Sequence, residues 1–105
     1  MSEPEVAPLD ARRRRLLYRA THRGTYENDL LLGGFVQRHI RGLDDSEIAA
    51  LEALLDIPDN LLADWLTGRM AIPEDVVTPM LVRVRDEAAQ PPFPARLRPG
   101  GEGVL

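Results

Sequence analysis

Apolar residues recur every three or four positions through most of this chain, which is the spacing that places them on one face of an α-helix. No stretch of useful length alternates between apolar and polar residues, so the pattern predicts no β-strand. Helices are expected at about residues 11–22, 26–41, 45–56, 58–67 and 78–89. Short helices joined by tight connections predict an all-α fold, a compact five-helix bundle.

Signals for helix ends support these boundaries. Asp10, Asp44 and Thr78 each stand just before a predicted helix, where a side-chain oxygen can accept a hydrogen bond from a free backbone N–H. Pro58 and Pro79 suit the first helical position, because a proline there loses no helical hydrogen bond. A turn is expected just before the last helix, since Pro79 would interrupt a continuous helix.

The apolar stripes of the five helices define the expected core. Its members are Leu9, Leu16, Ala20, Leu31, Leu32, Phe35, Val36, Ile40, Ile48, Leu51, Leu54, Leu55, Leu61, Leu62, Trp65, Leu66, Met80, Leu81 and Val84. The Pro-rich ends show no periodicity. Residues 1–9 are therefore expected to form a flexible N-terminal tail, residues 10–89 the helical domain, and residues 90–105 a disordered C-terminal tail.

Composition narrows the classes of function. The chain has no cysteine and two histidines, which excludes a disulfide framework and a thiolate zinc site and argues against any metal centre. No apolar run approaches the ~20 residues that span a membrane. The acidic N-terminus lacks the apolar segment of a secretory signal, so a cytoplasmic protein without membrane insertion is expected.

Charge is distributed unevenly. Residues 1–23 contain six Arg against three acids, whereas the rest of the chain contains seven Arg against fourteen acids. Arg12, Arg15 and Arg19 form one row along the first predicted helix, and a nucleic-acid-binding module using that row is one interpretation. The whole chain, however, carries a net charge of −4 and shows no recognition helix after a helix–turn. A solvated face, or one that meets an acidic partner, is therefore favoured.

The residues do not indicate an enzyme. The chain has no Gly-rich phosphate loop, no paired carboxylates with a plausible pocket, and no nucleophile beside a base. His39 stands at helical spacing from Phe35, which favours a structural role, whereas for His22, beside a turn, structural and functional roles stay open. These features predict a protein that acts by binding.

The junction between the first two predicted helices is the most informative segment. Arg23 and Gly24 form its turn, and Glu27 and Asp29 follow in the first helical turn, where the helix dipole favours acids. One interpretation is structural: Gly24 ends a helix and Glu27 is an ordinary first-turn acid. The other is functional: Gly24 lets another protein's backbone approach, while Arg23 and Glu27 frame that contact with charged hydrogen-bonding groups. The residues alone leave both open.

Two further glycines, Gly33 and Gly34, stand inside the second predicted helix. Each costs about 1 kcal/mol relative to alanine there, which indicates a local bend or the close approach of another backbone. Whether that backbone belongs to this chain or to a partner stays open.

Several of these stretches, in this order and spacing, resemble the family of succinate dehydrogenase FAD-assembly factors. The family's hallmark is an R-G-x-x-E motif at the junction of its first two helices, followed by an acid and a Leu-rich run. The matching stretches here are Arg23-Gly24-Thr25-Tyr26-Glu27, then Asp29, Leu30–Leu32 and Phe35, and downstream Asp64-Trp65-Leu66-Thr67-Gly68. The resemblance covers about residues 11–88, nearly all of the predicted helical core.

The resemblance implies a chaperone-like assembly factor with a compact five-helix fold. Such a factor binds the flavoprotein subunit of succinate dehydrogenase, or in some bacteria of fumarate reductase, and promotes covalent attachment of FAD to a histidine of that client. The absence of a phosphate loop predicts no stable FAD binding. A monomer when free and no nucleic-acid partner are also expected. The implied client-contacting residues are Arg23, Gly24 and Glu27, with His22 and Asp29 as neighbours and Arg15 and Arg19 at the rim. The alternative is an antitoxin-type protein that neutralises a small toxin partner.

Overall fold

The computed structural model describes residues 8–89, and within that range it contains five α-helices and no strand. They are α1 (Ala11–Thr21), α2 (Tyr26–His39), α3 (Asp45–Leu54), α4 (Asp59–Leu66) and α5 (Pro79–Ala88). The predicted all-α, five-helix fold is confirmed. Most of the two predicted tails, residues 1–7 and 90–105, lies outside the described residues.

The predicted helix starts are confirmed at three of the four sites. Asp10 accepts from the backbone N–H of Arg13, Asp44 forms a full capping box, and Thr78 accepts from the N–H of Leu81. Pro58 is a correction: it is the N-cap of α4 and not its first helical residue. Its ψ of 145° is extended, while its carbonyl already accepts the first helical bond, from Leu62 at 2.9 Å.

Two helices end two residues earlier than the periodicity predicted, whereas the other three end within one residue of the prediction. α2 ends at His39 instead of residue 41, and α3 ends at Leu54 instead of residue 56. After α2, the N–H of Gly42 bonds the His39 carbonyl, and after α3 the N–H of Leu55 bonds the Glu52 carbonyl. Both bonds span three residues, so each helix closes in a tighter turn that apolar periodicity does not reveal.

The second helix lies at the centre of the bundle, in contact with α1, α4 and α5. Leu32, Phe35 and Val36 on α2 are completely buried. The predicted core is confirmed, except that Leu9 and Leu61 are only half-buried at its edge. In the described part of the chain no helix is long and apolar enough to cross a membrane.

The two mid-helix glycines have different surroundings. A Cβ built on Gly33 would lie 2.8 Å from the Ala20 carbonyl oxygen and 3.0 Å from the Thr21 Cγ2, so α1 and α2 touch at this point. A Cβ on Gly34 would meet only the end of the Arg38 side chain, at 3.3 Å. The close approach at Gly33 is therefore internal packing, and it brings the C-terminus of α1 against α2.

We predict opposite effects of alanine at these two positions. Gly33→Ala should lower the free energy of unfolding by about 1–2 kcal/mol, because the clash with the Ala20 backbone outweighs the gain in helix propensity. Gly34→Ala, the matched control, should raise it by roughly 0.5–1 kcal/mol, since only a flexible arginine must move. Urea unfolding followed by circular dichroism measures both, and equal effects would contradict the packing assignment.

Arginines of α1 fasten that helix to the rest of the bundle. Arg12 forms a bidentate pair with Glu52 on α3, at 2.9 and 2.8 Å. Arg13 donates to the carbonyls of Ile40 and Leu43 between α2 and α3. The guanidinium of Arg12 holds the pKa of the Glu52 carboxyl below its ordinary value of 4.5. The predicted basic row is therefore not a single free face, because Arg12 is part of the tertiary structure.

This pair should contribute to acid sensitivity. Folding lowers the pKa of Glu52. The contribution of the Arg12–Glu52 pair to the free energy of unfolding is therefore complete above pH 4.5 and is lost as the pH falls through the pKa of the folded state. When the pH is lowered from neutral to about 3.5, the free energy of unfolding should therefore fall less for Glu52→Gln than for the wild-type protein. Arg12→Gln should have the same effect, since it removes the cause of the shift. Urea titrations at both pH values test this, and an unchanged pH dependence in both variants would contradict it.

Candidate functional site

The turn between α1 and α2 contains a glycine in the left-handed region. Gly24 has φ of +99°, a value that side-chain-bearing residues rarely adopt. It is exposed, and a Cβ built on it would meet nothing within 4 Å. Glycine is thus required here by the backbone conformation and not by lack of space within the chain. The open space above Gly24 is available to another molecule.

Arg23, next to that glycine, faces the interior. Its side chain is only 10% exposed, and its Nε lies 2.6 Å from Asp59 Oδ1 at the start of α4. Its Nη1 and Nη2 donate to the carbonyls of Leu55 and Ile57, at 2.9 and 2.7 Å. These carbonyls follow the end of α3, where helical partners are lacking. Arg23 therefore ties the α1–α2 turn to the α3–α4 junction.

Two more polar side chains complete this brace. The amide of Asn28, which is fully buried, donates to both the carbonyl and Oδ1 of Asp59, at 3.0 and 3.2 Å. Asp29 accepts from the backbone N–H of Arg23 at 2.8 Å. Asn28 and Asp59 were not among the predicted site residues. The available signal was the position of Asn28, which lies three and four residues before Leu31 and Leu32 on the buried face of α2.

Glu27, in contrast, faces outward. Its side chain is 43% exposed and pairs with Arg69, whose Nη2 lies 3.2 Å from Glu27 Oε1. The neighbouring Tyr26 is 69% exposed. Within the R-G-x-x-E motif, therefore, Arg23 is turned inward, while Gly24 and Glu27 are presented at the surface.

The end of α1 adds aromatic and basic groups beside the turn. The rings of Tyr18 and His22 are stacked, with centroids 4.0 Å apart, and His22 Nδ1 donates to the Tyr18 carbonyl at 2.9 Å. A shallow cleft of about 270 Å³ lies here, lined by Tyr18, Arg19, His22, Arg23, Leu55 and Asp59. Arg15 is exposed one turn earlier on α1 and does not line the cleft. We name as the turn surface the four exposed residues Tyr18, His22, Gly24 and Tyr26 together with the partly exposed Glu27.

The chemistry of the described residues is that of a binding surface. Across residues 8–89 no three His, Cys, Asp or Glu side chains are grouped so that they could hold a metal ion. His39, the second histidine, lies 4.4 Å from the Phe35 ring and 2.8 Å from Glu87, which is the structural role expected for it. The turn surface offers a carboxylate, aromatic faces and an open backbone.

A protein family described as the flavinator of succinate dehydrogenase matches residues 14–88. This chain belongs to that family. The FAD assembly factor SdhE of Acetobacter pasteurianus is 45% identical over 93 residues, which cover 89% of this chain and 79% of that protein. A mitochondrial succinate dehydrogenase assembly factor 2, from Dictyostelium discoideum, is 33% identical over 89 residues, covering 85% of this chain and 63% of that protein.

Membership of the flavinator family confirms the resemblance inferred from the Arg23–Glu27 motif. The matched region spans all five helices except the first turn of α1. The family consists of assembly factors, so the prediction of a factor that assists another enzyme, and is not itself an enzyme, is confirmed.

The brace predicts a large structural effect of Arg23. Arg23→Leu leaves Asp59 and the carbonyls of Leu55 and Ile57 without their guanidinium hydrogen-bond donor. It should lower the free energy of unfolding by about 2–4 kcal/mol. The control Arg19→Leu, on exposed α1 surface, should change it by less than about 0.5 kcal/mol. Chemical denaturation of both variants is the measurement. A stable Arg23→Leu protein would show that the three contacts do not hold the turn.

Proposed function

We propose that this chain promotes covalent attachment of FAD to the flavoprotein subunit of succinate dehydrogenase by docking its turn surface on that subunit. The observation that supports this most directly is the division within the R-G-x-x-E motif. Gly24 is exposed on the turn that Arg23 holds from inside, and Glu27, with its side chain 43% exposed, follows in the first turn of α2. In a chain of the flavinator family, such a rigid and accessible motif is suited to a specific protein contact.

The proposed role is conformational. A factor that binds one conformation of its client more tightly than another shifts the client towards that conformation. Here the selected conformation would be the one in which the client subunit attaches its bound FAD covalently to its own histidine. The turn surface contributes no nucleophile to this step: Gly24 admits client backbone, Glu27 accepts a hydrogen bond, and Tyr18 and Tyr26 supply aromatic contact area of the kind enriched at interfaces.

The individual residues then take different roles. We propose Gly24 and Glu27 as direct contacts, His22 as their neighbour, and Arg15 and Arg19 as rim contacts that steer an acidic client surface. Arg23 and Asp29, by the contacts described above, would act by keeping the turn in shape. Stable binding of FAD by the free chain is not part of the proposal. A cytoplasmic location, a monomeric free state and a fumarate reductase client stay predictions.

The role of Gly24 can be tested by size. Gly24→Ala and Gly24→Arg impose the same backbone strain at a positive φ but differ in the bulk placed above the turn. We expect Gly24→Arg to abolish flavinylation of the client, and Gly24→Ala to retain part of it. Covalent flavin fluorescence of the client subunit in a denaturing gel, in a strain lacking the wild-type factor, measures this. Equal losses in both variants would mean that strain, and not contact, explains the effect.

The carboxylate of Glu27 has a matched control in Asp45, an exposed acid in the first turn of α3. Glu27→Ala should weaken binding of the purified client subunit at least about tenfold, as expected for a central interface residue. Asp45→Ala should leave it unchanged, although both variants lose the same favourable interaction with a helix dipole. Calorimetric titration gives the affinities. Retention of full affinity by Glu27→Ala, or isolation of a small toxin as the bound partner, would overturn the proposal.

A further inference from the structure

The loop that follows α4 lies against the turn surface. Gly68, with φ of +81°, ends α4, and the backbone N–H of Met70 then bonds the Asp64 carbonyl at 3.0 Å. The chain thus folds back along its own helix. This reversal carries the Arg69 side chain to Glu27, a residue 42 positions earlier in the sequence.

Arg69 is held between two carboxylates. Its Nη1 and Nη2 lie 3.5 and 3.2 Å from the two oxygens of Glu27, and its Nε lies 3.1 Å from Asp64. These hydrogen bonds, first the one to Glu27 and then the one to Asp64, raise the pKa of the guanidinium above its ordinary value. Because both Glu27 oxygens face the same planar group, Arg69 determines how that carboxylate is oriented.

The charged pair is flanked by exposed apolar side chains. Tyr26 precedes Glu27 and is 69% exposed, and Met70 follows Arg69 and is 50% exposed. Arg69 itself stays half-exposed. A partner that reaches Glu27 would therefore also reach Arg69, and Met70 is the next residue of the chain. Arginine and methionine are residue types enriched in protein interfaces. Methionine is an adaptable contact on such surfaces, because it is unbranched and polarisable.

We propose that the docking surface continues from the turn surface onto the loop after α4, with Met70 as a contact and Arg69 as the residue that positions the Glu27 carboxylate. This inference rests on the proposed function, and its occupant is the client flavoprotein subunit. The chemistry that fits is a hydrogen-bond donor on the client for Glu27, beside an apolar side chain for Met70. The alternative is that Arg69 forms an ordinary surface ion pair without a role in binding.

A double-mutant cycle separates these possibilities. We expect Arg69→Ala to weaken binding of the purified client subunit about fivefold when Glu27 is present. In the Glu27→Ala background the same substitution should have no further effect, because Arg69 acts through that carboxylate. Arg69→Lys should recover part of the affinity, since it keeps the charge but not the planar, two-oxygen contact. A general structural defect would instead weaken binding equally in both backgrounds.

Met70 is tested against an apolar residue of similar exposure. Val77 is 43% exposed just before α5 and takes no part in the hydrogen bonds of the Glu27–Arg69 pair. Met70→Ser should weaken client binding about threefold to tenfold, as for a peripheral apolar contact, whereas Val77→Ser should leave it unchanged. Thermal unfolding of each variant verifies that the fold is intact.

The outcomes distinguish this inference from the proposed function. If Glu27→Ala binds the client normally, the proposed function itself fails. If Glu27→Ala weakens binding but Arg69→Ala does not, only the extension of the surface is overturned. The same holds if Glu27→Ala weakens binding but Met70→Ser and Val77→Ser have equal effects. The extension would also be overturned if Arg69→Ala reduced the affinity for the client equally in the wild-type and Glu27→Ala backgrounds.

Discussion

The guanidinium of Arg23 is the interaction on which the candidate site depends. Three of its nitrogens bond three separate acceptors on the α3–α4 side of the bundle, at 2.6 to 2.9 Å. Two of those acceptors are backbone carbonyls near the end of a helix, which would otherwise lack partners in a partly buried region. Only arginine offers a planar fork long enough to serve all three. A lysine carries its three donors on a single nitrogen and does not reproduce this planar geometry.

This brace explains how one short motif can serve two purposes. Arg23 and Gly24 are adjacent, yet the first is buried and the second is open to solvent. A tight turn with a left-handed glycine allows the backbone to send one side chain inward and to present its own atoms outward at the next residue. Glu27, one helical turn later, adds a carboxylate to that outer side. The contacts of Arg23 fix the shape of the turn in the free chain, and a pre-formed shape would lower the entropic cost of the binding proposed above.

Two arginines of α1 also bond to other parts of the bundle. Arg12 and Arg13 are committed to Glu52 and to the carbonyls between α2 and α3. Only part of the Arg-rich run is therefore left for solvent or for a partner, so the predicted row of Arg12, Arg15 and Arg19 is not one continuous free face. Packing at Gly33 complements these bonds, because it lets α1 lie close enough to α2 for the turn to remain short.

The sequence by itself determined the number and class of the elements, three of the helix caps, nearly all of the core and the family. Those features depend on local signals: apolar periodicity, cap residues and a motif with fixed spacing. It did not determine that Arg23 faces inward onto Asp59, that Asn28 donates to the same Asp59, or that Arg69 pairs with Glu27. The residues joined by these contacts are far apart in the chain: Asn28 and Asp59 are 31 positions apart, and Glu27 and Arg69 are 42 positions apart. Such pairings follow from how helices pack, and that is decided only in the folded bundle. The R-G-x-x-E motif can be read from the sequence, but which of its residues turn inward and which lie at the surface was decided only by the tertiary structure.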